Sequence, residues 1–416
     1  MFQRSDRDST LITNRPPPFV AGTLLRMIIM KREPLIVTHL TAKNWRNFRR
    51  IDVDLRERVF IVGPNASGKS NLLDIFRFLR DIAKSDGGGL QKAIKDRGGV
   101  SNLRSLAARK DPEISIEISL GEAGEPPRWR YALAVRQGAV GKRPPFVSYE
   151  RVWRNDELIL DRPDDADKAD PQRLTQTYLE QIGSNETFRE IPLFLHNTTY
   201  LHLVPQLLRH ADQIQGRILE DDPFGQAFLE RIARTTRKSQ RSRLRIIQDA
   251  LKIAVPQLEQ LEFVRDEDTG MPHLQALYSH WRPNAGWQRE DQFSDGTLRL
   301  IGLLWSLLEG ESTLLLEEPE QSLNSAIVGQ LAPMIHRVQK RRHRQVLIST
   351  HSDALLSEGI DGREVLMLTP SKEGTEVKVA ADIDEIRVLL ESGFTAGEAI
   401  LPRSNPPFPP QLSLVD

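Results

Sequence analysis

The sequence predicts an α/β fold: a mostly parallel sheet flanked by helices, with an antiparallel β subdomain and a helical insertion. Three observations predict it. Short continuous apolar runs, "VFIVG" at 59–63, "TLLLEE" at 313–318, "QVLIST" at 345–350 and "EVLMLT" at 364–369, alternate with helix-patterned stretches, as strands covered on both faces do. From 113 to 160, "EISIEISL", "RYALAVR", "FVSYERVWR" and "ELILD" alternate apolar and polar residues, the period of half-buried antiparallel strands. From about 165 to 260 the spacing is helical and Gln, Arg and Leu are frequent, with no sustained heptads, so a long coiled-coil arm is not expected.

Taken in order, residues 1–33 read as a low-order extension rich in Pro and Arg, where Met27 and Met30 leave a later start codon open. Residues 34–160 begin with the strand-like "LIVTHL", "IDVDL" and "VFIVG". A Gly-containing loop and a helix follow, in which Leu72, Phe76, Leu79 and Ala83 share a face, and then the antiparallel strands. The helical insertion occupies 161–260, entered through "DRPDDADKADP". Residues 261–380 return to strands ("LEFVRD", "HLQALY"), a helix from 297, the apolar strand before Glu317, a helix through "SAIVGQLAPMIHRVQKRR" and two more strands. Residues 381–416 read as a C-terminal helix, starting at "ADIDEI", and a Pro-rich surface strap, "LPRSNPPFPP".

Composition narrows the class. Of 416 residues, 39% are hydrophobic and 27% charged, the profile of a globular protein with a sizeable core. There is no cysteine, which excludes disulfides, thiolate metal sites and a cysteine nucleophile. The longest apolar stretches are too short to span a bilayer, and a cytoplasmic protein is expected. Lys plus Arg equals Asp plus Glu at 57 each, so any nucleic-acid partner must be held by local patches.

"GPNASGKS", Gly63 to Ser70, matches the phosphate-loop pattern G-x-x-x-x-G-K-[ST] between an apolar strand and a helix. Its glycines let backbone N–H groups curl around a phosphate at a helix N-terminus, Lys69 would reach the β- and γ-phosphates, and the Ser70 hydroxyl would ligate Mg²⁺. The bland alternative is a Gly-rich turn with a chance Lys-Ser. "TLLLEEPE" ends an apolar strand in paired acids, where Glu317 would orient the hydration shell of Mg²⁺ and Glu318 would polarise the attacking water. Alone, such a pair is a solvated helix start. His351 of "STHSD" ends another apolar strand, either as a γ-phosphate contact or as a structural histidine. "FSDGTLRL" at 293–300 offers Ser294 or Asp295 as a helix cap.

The order of phosphate loop, "FSDGT", "LLLEEP" and "STHS" resembles that of the ABC-type ATPase superfamily. "IVTHLTAKNWRNFRRIDVDL" at 36–55 and "RGGVSNL" at 97–103 resemble the branch containing SMC, RecF and OLD-type ATPases, and stand-alone AAA-family ATPases of prokaryotic defence or toxin–antitoxin systems. The resemblance covers about 35–150 and 285–370. It implies an ATP- and Mg²⁺-dependent ATPase whose homodimer forms composite ATP sites. Gly63, Asn65, Gly68, Lys69, Ser70 and the adjoining Asn71 match the phosphate loop, and Ser294 and Gly296, with Asp295 between them, match the signature that caps the γ-phosphate of the partner protomer. Glu317 and Glu318 match the acidic strand, Asn324 stands where an Asp often follows it, and His351 matches the switch histidine. Arg46 and Asn47 lie where the first strands approach the nucleotide. The usual Asp is Glu at 317, one methylene longer.

Two basic runs stand out. "RIARTTRKSQRSRLR" at 231–245 has seven basic residues and no acid, either a DNA-phosphate surface on a helix or a solvated face. "QKRRHRQ" at 339–345 falls at a helix C-terminus, where the dipole explains it. The segment after His351 is too short for the nuclease domain that OLD-type proteins often carry, so a separate effector, a nuclease or toxin, is expected. Two readings stay open beside it: a RecF/SMC-like DNA-binding ATPase of repair or chromosome maintenance, and a non-hydrolysing, nucleotide-gated scaffold.

Overall fold

The computed structural model describes residues 35–404, apart from 85, 109–110, 139–143, 211–221, 283–285, 311, 343 and 358. The N-terminal extension and the Pro-rich strap from 405 onward lie outside the described residues.

The central sheet has six strands in the order β15-β14-β3-β13-β12-β8: β15 (Gly374–Val379), β14 (Val365–Ser371), β3 (Arg58–Val62), β13 (Val346–Thr350), β12 (Leu314–Glu317) and β8 (Thr199–Leu201). All neighbours are parallel except the hairpin pair β14 and β15. The continuous apolar runs divide by alternate residues. Val59, Ile61, Leu315, Leu347 and Leu366 enter one core, while Phe60, Val62, Leu314, Leu316, Val346 and Ile348 enter the other. Helix α1 (Lys69–Ala83) covers the first face, followed by the short α2 (Leu90–Lys95) and α3 (Val100–Leu103).

A second sheet is wholly antiparallel, in the order β2-β1-β4-β5-β6-β7: β2 (Phe48–Asp54), β1 (Ile36–Trp45), β4 (Ile114–Gly121), β5 (Trp129–Arg136), β6 (Phe146–Arg154) and β7 (Glu157–Arg162). Behind it lies a buried ionic cluster. Arg162 donates to Glu150 and twice to Asp167, each at 2.9 Å, and its guanidinium lies 3.9 Å from the centroid of the Tyr178 ring.

The segment read as a helical insertion holds α4 (Asp165–Ala169), α5 (Glu190–His196), α6 (Pro205–Arg209), α7 (Phe228–Arg234) and α8 (Arg237–Ala254). It is not all helical: β8 lies between α5 and α6 and closes the edge of the central sheet, in register Leu315 with Tyr200. Three residues are too few for a strand period to register in the sequence. The basic run 231–245 is also not one helix. It breaks at Thr235 and Thr236, where the Thr236 hydroxyl caps α8. After α8, β9 (Leu258–Arg265), β10 (Pro272–Tyr278) and β11 (Trp287–Arg289) form a small antiparallel sheet.

The other face of the central sheet carries α9 (Asp295–Leu308) and α10 (Ser325–Arg342). The expected single C-terminal helix is two, α11 (Asp384–Glu391) and α12 (Ala396–Ser404), separated by Gly393 at φ 92°. The dipole explanation of 339–345 needs correction at Arg344. That side chain is buried and donates to Ser306 O at 2.5 Å, Ser312 O at 2.6 Å and Glu309 O. It satisfies carbonyls at the end of α9 and in the segment leading to β12, not those of the helix that precedes it. Among the described residues, no helix is long and apolar enough to cross a membrane.

Candidate functional site

The phosphate loop joins β3 to α1 at the carboxyl end of the parallel strands. Gly63 permits a close approach, since a Cβ there would lie 2.7 Å from Leu368 O. Gly68 has φ +101°, and its Cβ would meet the Asn47 amide at 2.2 Å. Standing at the N-cap of α1, Gly68 contributes no side-chain cap, so the helix N–H groups face the loop. Lys69 is 7% exposed and donates to Gly63 O at 3.0 Å and Pro64 O at 3.3 Å. Burial lowers its pKa from the ordinary lysine value, while the carboxylates of Glu318, Glu317 and Glu320 oppose the shift.

Ser70, in the first turn of α1, donates its hydroxyl to Glu317 Oε1 at the end of β12. The other oxygen, Oε2, accepts from the Tyr200 hydroxyl on β8. The guanidinium of Arg77 lies 4.0 Å from the centroid of the Tyr200 ring. Burial, reinforced by the bond to Glu317, pushes the Tyr200 hydroxyl well above its usual pKa and keeps it a donor. A hydroxyl and a carboxylate converging here are hard oxygen donors of the kind Mg²⁺ takes in a phosphate site. Among the described residues, no cluster of three or more His, Asp or Glu is arranged to hold a metal ion.

Glu318 has φ 44°, a strained value for a non-glycine residue. Its Oε1 lies 3.3 Å from His351 Nε2, and its Oε2 accepts from Gln321. Burial, then Lys69, lowers the His351 pKa, and Glu318 only partly restores it, so the imidazole is neutral near pH 7. Glu320 accepts from the Thr350 hydroxyl at 2.5 Å and from His351 N–H at 3.2 Å, and burial raises its pKa. It therefore fixes the backbone of the histidine strand.

The candidates from the first strands meet the loop. Asn47 donates to Ser67 O at 2.7 Å and to Thr375 Oγ1 at 2.8 Å, and accepts from Asn71 at 2.8 Å. Arg46 turns to Asp74, which it contacts at 2.7 and 3.1 Å, and Arg97 of the "RGGVSNL" run joins the same carboxylate. A cleft of about 860 Å³ opens beside them, lined by Arg46, Asn47, Asn71, Arg97, Asn102 and Lys372. Asn65 is exposed at the loop.

The signature residues stand on α9. Ser294 caps the helix, accepting from Thr297 N–H at 3.2 Å. Asp295 is held by Arg209 at 2.5 Å and Gln206 at 2.9 Å. A Cβ on Gly296 would lie 2.9 Å from Ser322 O, so this turn abuts the segment after the acidic strand. These contacts run to α6 and to residues 322–323, not to the phosphate loop of the same chain. Asn324 accepts from Ala326 N–H at 2.9 Å, a local bond leading into α10.

Sequence reasoning brought Lys69, Ser70, Glu317, Glu318 and His351 to one place and missed Tyr200, Gln321 and the anchoring role of Glu320. Glu320 sat in the quoted motif, but Tyr200 lies more than a hundred residues away with no pattern around it. In the basic run, Arg231 and Arg243 pair with Glu309. Arg237, Arg241 and Arg245 instead line a groove of about 690 Å³ with Arg265 of β9.

Residues 58–357 match the family described as "AAA domain, putative AbiEii toxin, Type IV TA system". The DNA replication and repair protein RecF of Lactobacillus acidophilus is 33% identical over 96 residues, 20% of this chain and 26% of that protein. RecF of Geobacillus sp. (strain WCH70) is 22% identical over 193 residues, 45% and 47% of the two. The chain thus spans between about a quarter and a half of the length of these curated relatives. The crystal structure of the SMC head bound to the C-winged helix domain of ScpA superposes with a TM-score of 0.48 at 14% identity, covering 82% of this chain and 96% of that one. At that distance the likeness says nothing about activity. The family match spans most of the chain and contains the phosphate loop, acidic strand and histidine strand in order, so the protein belongs to this AAA family, as an ABC-type ATPase of the SMC, RecF and OLD-like branch.

Proposed function

We propose that the protein binds and hydrolyses ATP, dimerises around it, and signals its nucleotide state to a separate effector in anti-phage defence or a toxin–antitoxin pair. The observation that carries the enzymatic part is the convergence of Lys69, Ser70, Glu317, Glu318 and His351 at the ends of β3, β12 and β13. Lys69 would leave the loop carbonyls for the β- and γ-phosphates. Ser70 and Glu317 would hold Mg²⁺, which supplies neutralisation of phosphate charge when bound. Glu318, its carboxylate fixed by Gln321 and near the neutral His351, would polarise the attacking water, and His351 would contact the γ-phosphate. Asn47, Asn71 and the adjoining cleft would take the nucleoside side.

Dimerisation rests on α9. Ser294 and Gly296 point their contacts away from their own phosphate loop, which suits a signature that caps the nucleotide of a partner copy. The effector and the defence role rest on the family description, whose printed name includes a toxin. The deciding experiment is phosphate release with and without Mg²⁺, together with ATP-dependent dimerisation. An inert protein that still binds ATP would establish the nucleotide-gated scaffold instead.

A DNA-binding role is the second reading, favoured by one observation. Arg237, Arg241 and Arg245 repeat at four-residue spacing on one face of α8 and share a groove with Arg265. Stimulation of turnover by duplex DNA, abolished by salt and by neutralising these arginines, would support it; unchanged turnover would remove it.

A further inference from the structure

We propose that Tyr200 is a positioning residue for the metal carboxylate Glu317, an inference that rests on the nucleotide-site reading above. Glu317 carries one more methylene than the aspartate usual at this place, and so one more rotatable bond to immobilise. Its two oxygens are held from opposite sides, Oε1 by Ser70 and Oε2 by Tyr200. Ser70 is itself a metal-site candidate, so its bond to Glu317 must rearrange when a cation enters between them. Tyr200 has no such second duty and can keep its bond throughout.

The phenol is placed for this by the fold. Tyr200 lies opposite Leu315 in the parallel pairing of β8 with β12, on the face covered by α1, and Glu317 follows on the same face two residues later. Its ring is 8% exposed and lies under the Arg77 guanidinium, two helical turns beyond Ser70 on α1. One helix therefore supplies both the hydroxyl that meets Glu317 and the cation that fixes the ring behind it. Outer partners of this kind orient a metal-binding carboxylate, and their removal weakens metal affinity by roughly 10- to 100-fold.

The test titrates Mg²⁺ against a fluorescent N-methylanthraniloyl-ATP probe on the full chain, with no turnover required. Tyr200→Phe keeps the ring under Arg77 and removes only the hydroxyl. It should raise the Mg²⁺ concentration for half-maximal binding about tenfold, with probe affinity in EDTA unchanged. In a Glu317→Asp background, where the shorter carboxylate falls short of the phenol, Tyr200→Phe should add nothing. Equal Mg²⁺ titrations of parent and Tyr200→Phe, an equal penalty in both backgrounds, or loss of affinity in EDTA would each overturn the inference while leaving the nucleotide site standing. A parent protein that binds no probe at all would overturn both.

Discussion

Glu318 Oε1 and His351 Nε2 lie 3.3 Å apart, across the ends of two neighbouring parallel strands. If Glu318 polarises the attacking water, Glu318→Gln should bind ATP at the parent affinity, lower turnover by about a hundredfold or more, and accumulate an ATP-bound dimer. Phosphate release and size-exclusion chromatography read the two effects. Turnover at the parent rate would reassign the water-polarising role.

The phosphate loop tolerates little. Lys69→Ala should abolish ATP binding measured by calorimetry. Gly68→Ala should do nearly the same, because its Cβ meets the Asn47 amide and φ is +101°. Retained binding in both would dissociate this loop from the nucleotide.

Ser294 tests the composite site, with a complication that a second variant resolves. Ser294→Ala removes a helix cap, costing about 1 kcal/mol of stability, and should impair hydrolysis and ATP-dependent dimerisation more than binding by one subunit. Ser294→Asp retains a good cap and brings a negative charge to the turn that the proposed composite site sets against phosphate. It should melt at the parent temperature and still fail to dimerise; normal dimerisation would reduce Ser294 to its cap.

The ionic cluster behind the antiparallel sheet makes a stability prediction. Arg162, Glu150 and Asp167 have fully buried side chains, so Arg162→Met strands two carboxyl groups and should cost roughly 3–5 kcal/mol in a denaturant melt. Burial alone would raise the Asp167 pKa, but hydrogen bonds from Arg162, the Asp164 backbone and Arg173, with the charge of Arg162, together outweigh it and hold the group at about 2. A depressed carboxyl contributes stability above its unfolded value and loses it as pH falls through the folded one. This contribution should therefore disappear on acidification toward pH 2, seen as a falling midpoint, and should be smaller in Arg162→Met, which keeps only the bonds from the Asp164 backbone and Arg173.

Much of this was legible because local chemistry and fold agree. The runs around Phe60, Leu315 and Ile348 are short and continuously apolar, as strands buried on both faces are, and the loop between β3 and α1 carries a spacing set by phosphate geometry. What escaped notice depends on tertiary pairing. β8 has three residues and no period, β15 is a half-buried hairpin arm, and Tyr200 reaches Glu317 only because two distant strands align. Arg344 reads in the sequence as one member of a basic run at a helix C-terminus. Its burial is decided by carbonyls of another helix, which no local pattern encodes.

The position of β8 limits how the middle of this chain can change. Its backbone completes the pairing of β12, so excising 161–260 as a module would strip the border of the sheet beside Glu317 and expose unpaired N–H and C=O groups. Length can vary before β8 or after it, but not through it. Any shift of this edge strand is one hydrogen bond away from Glu317, through the Tyr200 hydroxyl.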